Sequence, residues 1–499
     1  MASGALRSLP DFRDPFRGPL IRRILLLALL ARIIVFAAAF RGVFPIGEGR
    51  TQADLAVNIM NGNGFMLSGS MLHPEREEQA PLLFRRTFEF YRRVDGFYGA
   101  MRPGRPTVFL VPGYALFMAG VFSVFGMENY LAVSGVQLLL GLATVYIGLL
   151  IARRFLSGGY LLLAGLFFAL DPFQLFYEAV PATQGIFTLL FLLGILMSLK
   201  LLETVPESRN RVSTSILAGC VWAGAFYVRP AALPVMAWSA VLLAFLPLVR
   251  RVLPGGRDTS ASGGTVSARG FLSGLVMLCT FAVLMLPWGI RNLGITGSFM
   301  ILPSQGGVNL WEYNGRIFTE HFEGEAQGAL MLYSGIREEY TGRLNRPELV
   351  EFPEFRDEPE WVRDSILYRR NIEFMLANPV LTLRLISLRF IEMFKPFPLN
   401  TFSPLYTLAG LAALFWVLFF LWGGAWRCAL HRGPEGFYLA TAVAGYSLMH
   451  LLTASGTPHR VSIDFPMAVL ALTGLRYSAE RYRAWRENRT DRGKETGTG

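Results

Sequence analysis

The sequence predicts an all-α polytopic membrane protein, and three observations carry that reading. Of 499 residues, 53% are hydrophobic and only 17% are charged, with mean hydropathy +0.40, where an average soluble domain carries about 25% charged residues. Apolar runs approaching the roughly 20 residues that a membrane crossing needs recur along the whole chain. Basic residues cluster between these runs rather than along them. The 40 Phe, 17 Tyr and 9 Trp exclude a chain that is mostly disordered.

In order, Arg13, Arg17, Arg22 and Arg23 precede the run 24–40, the first membrane helix. No small-residue cleavage site follows it, so it reads as a retained anchor. A polar segment, 41–107, comes next. Further runs occupy 108–125, 131–152, 160–170, 186–199, 216–227, 231–249 and 271–288. A second polar segment reaches 379, followed by runs at 381–394, 405–422, 437–452 and 466–475 and a basic tail. The division expected is a transmembrane module over 1–288 with its first outer loop at 41–107, a loop and small cap over 289–403, C-terminal helices over 404–478 and a tail over 479–499.

Short loops orient the bundle, because basic residues stay cytoplasmic. Arg153-Arg154, Lys200 with Arg209 and Arg211, the 250–269 loop, Arg427 with Arg432 and the 476–489 tail should share that side. For this to hold, 108–125 and 381–394 cannot be simple crossings. The second carries Arg384, Arg389, Glu392 and Lys395 at helical spacing, as in an amphipathic helix at the surface. About ten crossings remain, with both termini cytoplasmic and two polar segments outside.

The +11 charge follows from basic helix ends and does not call for nucleic acid. Cys220, Cys279 and Cys428 form no metal motif, and the five histidines show no ligand spacing. No Walker A or Rossmann glycine pattern is present, so ATP-driven transport is unsupported.

The most informative stretch runs from 47 to 65. Ala53, Ala56, Val57 and Met60 share a helical face, giving a short interfacial helix ended by Asn-Gly turns. Glu48 stands before that helix, just beyond the outer end of the first span. A carboxylate held there can accept a proton from an incoming hydroxyl; the same spacing also suits a solvated loop carboxylate. Arg229, Arg291 and Arg460 end apolar runs on the outer side, and Arg50 lies near Glu48. Arginine pairs bidentately with phosphate, and equally snorkels to headgroups.

Five motifs, in order, resemble the GT-C glycosyltransferases that use polyprenyl-phosphate sugars, such as protein O-mannosyltransferases and lipid A aminoarabinose transferases. They are Leu55-Ala56-Val57-Asn58 through Gly62-Asn63-Gly64-Phe65; Pro106-Thr107 through Pro112-Gly113-Tyr114; Val228-Arg229-Pro230; Pro287-Trp288-Gly289-Ile290-Arg291-Asn292 with Gly307-Val308-Asn309-Leu310-Trp311; and His459-Arg460 through Pro466. The resemblance covers roughly residues 20–475 and leaves the sugar unspecified.

It implies a GT-C bundle with juxtamembrane helices and a small outer cap, in the inner membrane of a bacterial cell. The acidic residue after the first helix, Glu48 here, would deprotonate an acceptor that attacks the anomeric carbon with inversion. Arg50, Arg229, Arg291 and Arg460 would hold the leaving polyprenyl phosphate. Asn58, Glu178, Gln184, Trp311 and His459 complete the implied substrate site. The acceptor would be a glycan, lipid or protein, with no nucleic-acid partner. Two departures stand out: Gln52 replaces the family's usual Tyr, and Thr183-Gln184-Gly185 replaces an acidic motif in the second outer loop. An amide neither serves as a base nor binds metal strongly, which leaves a divalent metal open and Glu178 or Asp171 as substitutes. A flippase for lipid-linked sugars and a non-catalytic homologue in a glycan-assembly complex remain alternatives.

Overall fold

A computed structural model of the chain describes residues 18–39, 43, 45, 48–68, 104–203, 211–253, 267–314, 358–394, 420–453 and 457–495. Among these residues the secondary structure is helical, apart from one isolated bridge between Met66 and Pro106.

Helix α1 (Pro19–Ala39) carries Arg22 and Arg23 at its start and Arg32 along its length. Helix α2 (Glu48–Met60) begins on Glu48 itself, a correction to the expectation that this residue precedes the helix. The reason is electrostatic, since a carboxylate in the first turn faces the positive end of the helix dipole. Gly62 and Gly64, at φ +77° and +81°, end α2 as the Asn-Gly pairs predict. The run expected at 108–125 is indeed no simple crossing. Its first residues are non-helical, with Phe109 and Leu110 buried against Leu55 and Leu67, and only α3 (Gly113–Phe125) is helical. Gly113 is obligatory, because a Cβ there would strike the Tyr227 carbonyl.

Helix α4 (Tyr130–Phe155) is capped by Asn129, whose side chain accepts from the Ala132 amide. Helix α5 (Gly158–Leu170) stops at Asp171, which caps α6 (Pro172–Ala179) by accepting from the Phe173 amide at 3.0 Å, with Pro172 opening the new helix. Helix α7 (Thr183–Leu202) is the hub. It touches α4, α6, α8 (Arg211–Val228), α9 (Ala232–Ala244), α16 (Gly433–Leu452) and α17 (Thr457–Glu495). Its Gly194 lies flat on the Trp222 indole of α8. Helix α8 ends where Arg229-Pro230 forbids continuation. Helix α9 bends by 78° into α10 (Leu246–Val252), and α11 (Ala268–Thr296) is closed by Gly297 at φ +75°. After α12 (Gly306–Asn314) come α13 (Glu360–Ala377), α14 (Pro379–Phe394), a π-helical turn and α15 (Ala425–His431).

One expectation needs correction. On α14 Arg384 is exposed, as expected of a surface helix, but Arg389 is not. Arg389 is buried and donates to the Leu451 carbonyl at 2.7 Å, while Leu383 is exposed. The last carbonyls of α16 have no partner within their own helix, and Arg389 supplies one. The last span and the basic tail share one helix, α17, which runs for 39 residues. That is roughly 58 Å of helix, about twice the hydrocarbon thickness of a bilayer.

By length and apolarity, five helices among the described residues can cross a membrane, or six if α9 and α10 form one bent span. Residues 405–419 of the run expected at 405–422, residues 315–357 and 395–403 of the expected loop and cap, and the 254–266 connector lie outside the described residues. Long apolar helices packed around a buried core make this an integral membrane protein.

Candidate functional site

The site forms at the end of the bundle where α2 meets the α6–α7 turn and the α8–α9 joint. Gly49 has no side chain, which lets α2 press onto the Pro181 carbonyl. This places Glu48 beside the turn that opens α7. Burial raises the Glu48 pKa above its ordinary 4.5, while the Arg229 charge and a hydrogen bond from Gln52 pull it back. The Gln52 amide also reaches the Val111 carbonyl at 3.5 Å. The residue that departs from the family pattern therefore positions the carboxylate.

A second set of bonds fixes the turn. Tyr114 donates to Gln137 Oε1, and Gln137 Nε2 donates to the carbonyls of Val180 (2.8 Å) and Glu178 (3.1 Å). Ser134 donates to the Ala179 carbonyl at 2.6 Å. Neither Ser134 nor Gln137 figures in the sequence-based site. The available signal was their polarity inside the otherwise apolar run 131–152.

Arg229 lies over the Phe187 ring, 5.7 Å from its centroid, and its charge reaches both Glu48 and Tyr446. Its Nη1 is buried with no hydrogen-bond partner, as are Thr183 Oγ1 and Gln184 Oε1 in the first turn of α7. Tyr446, His450 and His459 follow as a ladder of rings, with centroids 4.6 Å and 4.3 Å apart.

The other expected residues are placed differently. Arg460 is fully buried, paired with Asp464 at 2.9 Å and stacked over Phe173 at 5.0 Å. Arg291 donates to the carbonyls of Thr107 (2.8 Å) and Phe65 (3.1 Å) and lies over Trp288 at 4.6 Å, so it clasps the first long loop onto α11. Glu360 completes that clasp by accepting from Thr107 Oγ1 and the Val108 amide. Burial raises the Glu360 pKa against those bonds and the Arg363 and Arg291 charges. One turn on, Asp364 accepts from the Gly307 and Val308 amides at 2.7 and 3.1 Å, and burial pushes its pKa up to about 6.

Glu178 is buried against Arg32, with Nε–Oε2 at 2.9 Å and Nη2–Oε1 at 3.0 Å, and takes a third bond from Gln174 at 2.8 Å. Asn58 donates to the Asp54 carbonyl and accepts from Asn63, which secures the end of α2. Arg50 is buried within α2. Trp311 falls on α12, with its side chain outside the described residues. The fold thus gathers Glu48, Gln52, Arg229 and Tyr446 near the first turn of α7, which carries Thr183 and Gln184, and binds Glu178, Arg291 and Arg460 into their own local partners.

Among the described residues no three His, Cys, Asp or Glu side chains gather as a metal site. Around Glu48 the companions are the Gln52 amide and the Arg229 guanidinium, and that set does not fit a divalent cation, which wants several anionic oxygens.

No family model matches this chain, and no curated protein matches it. Solved structures do. The archaeal oligosaccharyltransferase AglB from Archaeoglobus fulgidus, in complex with an inhibitory peptide and a dolichol-phosphate, aligns with TM-score 0.51 at 12% identity, over 94% of this chain and 52% of its own. An Archaeoglobus fulgidus oligosaccharyltransferase in complex with Zn and sulfate gives 0.50 at 13% identity, over 93% and 49%. ArnT from Cupriavidus metallidurans, bound to undecaprenyl phosphate, aligns at TM-score 0.35 and 12% identity, over 90% and 77%. At these identities the likeness is one of fold, and this chain spans about half the length of the archaeal proteins.

Proposed function

We propose that this chain, which shares its fold with lipid-donor membrane glycosyltransferases of the GT-C kind, is an inverting glycosyltransferase. It moves a sugar from a polyprenyl-phosphate donor to a glycan, lipid or protein acceptor on the outer face of a bacterial inner membrane. The observation that carries the reading is Glu48, a carboxylate fixed by Gln52 within reach of the Arg229 charge. A general base and a cation for a leaving phosphate are the two groups such a transfer requires.

In the reaction, Glu48 accepts the acceptor's proton as its oxygen attacks the anomeric carbon. The bond from that carbon to the phosphate oxygen breaks, and the electron pair leaves with polyprenyl phosphate. Charge on that phosphate grows as the bond breaks, so a preorganised cation beside it lowers the barrier. Arg229 is the expected arginine whose charge acts on Glu48. Arg291 and Arg460 act by holding the loop and helices that frame the site. Orientation rests on the basic loops: Arg153-Arg154 and the α17 tail lie at the opposite end from Glu48, so the positive-inside rule puts Glu48 outside.

The test is transfer from a labelled polyprenyl-phosphate sugar by purified protein in lipid, with Glu48→Gln alongside. Loss of a base costs about 10²–10⁴ in rate. Transfer by the wild type with a drop of that size supports the reading, and equal transfer by both removes Glu48 from it.

A further inference from the structure

We infer that the donor phosphate is held by Arg229 and the amino end of α7, with Thr183 as a third donor, and that this cradle works without a divalent cation. The inference rests on the lipid-donor reading and adds where the phosphate sits and what replaces a metal there.

Helix α7 is 20 residues long, and its capping position is Ala182, which offers no side-chain cap. The first-turn N–H groups of any helix lack partners within the helix and carry the positive end of its dipole. An anion is therefore the natural occupant of that end. Independent observations point the same way. Thr183 is 1% exposed and Arg229 8% exposed, yet Thr183 Oγ1 and Arg229 Nη1 have no hydrogen-bond partner. Buried polar atoms are nearly always satisfied, and two donor-bearing groups left unsatisfied at one helix end call for an acceptor from outside the chain. Arg229 is held over Phe187, one turn into the same helix, which brings the guanidinium to the amino-terminal turns of α7.

The charges agree. A phosphodiester donor arrives with one negative charge and leaves as a phosphomonoester with a second developing. Glu48 beside it is also anionic when it serves as base, so a cation must separate the two. Arg229, within electrostatic reach of Glu48, occupies that position.

A structure of an Archaeoglobus fulgidus oligosaccharyltransferase was obtained with Zn and sulfate. In this chain Gln184 is a neutral amide, Glu178 is committed to Arg32, and Arg229 supplies a fixed positive charge that would repel a metal. The disagreement is chemical: the described residues offer an anion site where a metal site would need further carboxylates.

The test measures binding of undecaprenyl phosphate to the purified full chain in nanodiscs by native mass spectrometry, first in EDTA and then with Mn²⁺. Wild type should bind equally in both. Arg229→Met should weaken binding roughly ten- to a hundredfold, the loss of charge-assisted hydrogen bonds. Thr183→Val should weaken it roughly two- to tenfold, and Arg229→Lys should fall between wild type and Arg229→Met. Arg483→Met, in the exposed tail, is the control, and undecaprenol without phosphate should bind wild type and Arg229→Met alike. If Arg229→Met does not fold, the Lys and Val variants carry the test. Binding that needs Mn²⁺, or binding unchanged in these variants, overturns the inference and leaves the glycosyltransferase reading standing. Absence of binding to wild type under both conditions overturns both.

Discussion

Removing either member of the Arg32–Glu178 pair should destabilise the bundle severely, and removing both should not. The Arg32 side chain is 3% exposed and that of Glu178 is fully buried. They are joined by two short contacts, with Gln174 satisfying Glu178 further. Arg32→Met leaves Glu178 charged without its counter-ion in an apolar surround, and Glu178→Leu leaves Arg32 in the same state. Each single change should cost about 3–5 kcal/mol, whereas replacing both by apolar residues of similar volume should cost far less. The double-mutant cycle should therefore give a coupling of several kcal/mol, beyond the ~0.5–3 kcal/mol usual for residues in contact. Gly141→Ala probes the same place from the third side, since the added Cβ would overlap the Glu178 carboxylate. The assay is equilibrium unfolding in mixed micelles, followed by tryptophan fluorescence. Singles below about 1 kcal/mol, or additive effects in the double variant, would refute the argument that this pair ties α1 to α6.

Three further outcomes follow from the site and its supports. The rate of transfer should climb on the acid side as pH rises through the raised Glu48 pKa, because the base acts when deprotonated, and Glu48→Gln should abolish that limb. Asp364 titrates near 6 in the folded chain against an ordinary 3.8. Its contribution to stability is fully present below about 4 and is lost as pH rises through 6; the protection of the Gly307 and Val308 amides, exchange corrected for its intrinsic base-catalysed rise with pH, should fall across that window in wild type and stay flat in Asp364→Asn. Gly113→Ala should cost about 1–3 kcal/mol by overpacking against the Tyr227 carbonyl, read as a lower unfolding midpoint.

The helical architecture was legible because it rests on local signals. Apolar runs mark the long helices, Asn61-Gly62 ends α2, Arg229-Pro230 ends α8, and Asp171 before Pro172 opens α6. Glu48 too was legible, by its place after the first helix and by the resemblance around it. The partners of the arginines were not. Arg229, Arg291 and Arg460 look alike in sequence, each a cation at the end of an apolar run. The fold gives Arg291 two carbonyls, Arg460 a carboxylate, and leaves Arg229 Nη1 buried with no hydrogen-bond partner. A snorkelling cation, a structural clasp and a ligand-binding group share one local pattern.

The sequence alone determined which segments are helical and apolar enough to enter a membrane, because backbone hydrogen bonding and periodicity act over a few residues. Only the tertiary structure decided that Glu178 answers Arg32 across 146 positions, that Arg389 turns inward, and that Arg229 meets the amino end of α7. Charge pairing in a buried core depends on which helix faces come together, and that is a property of packing.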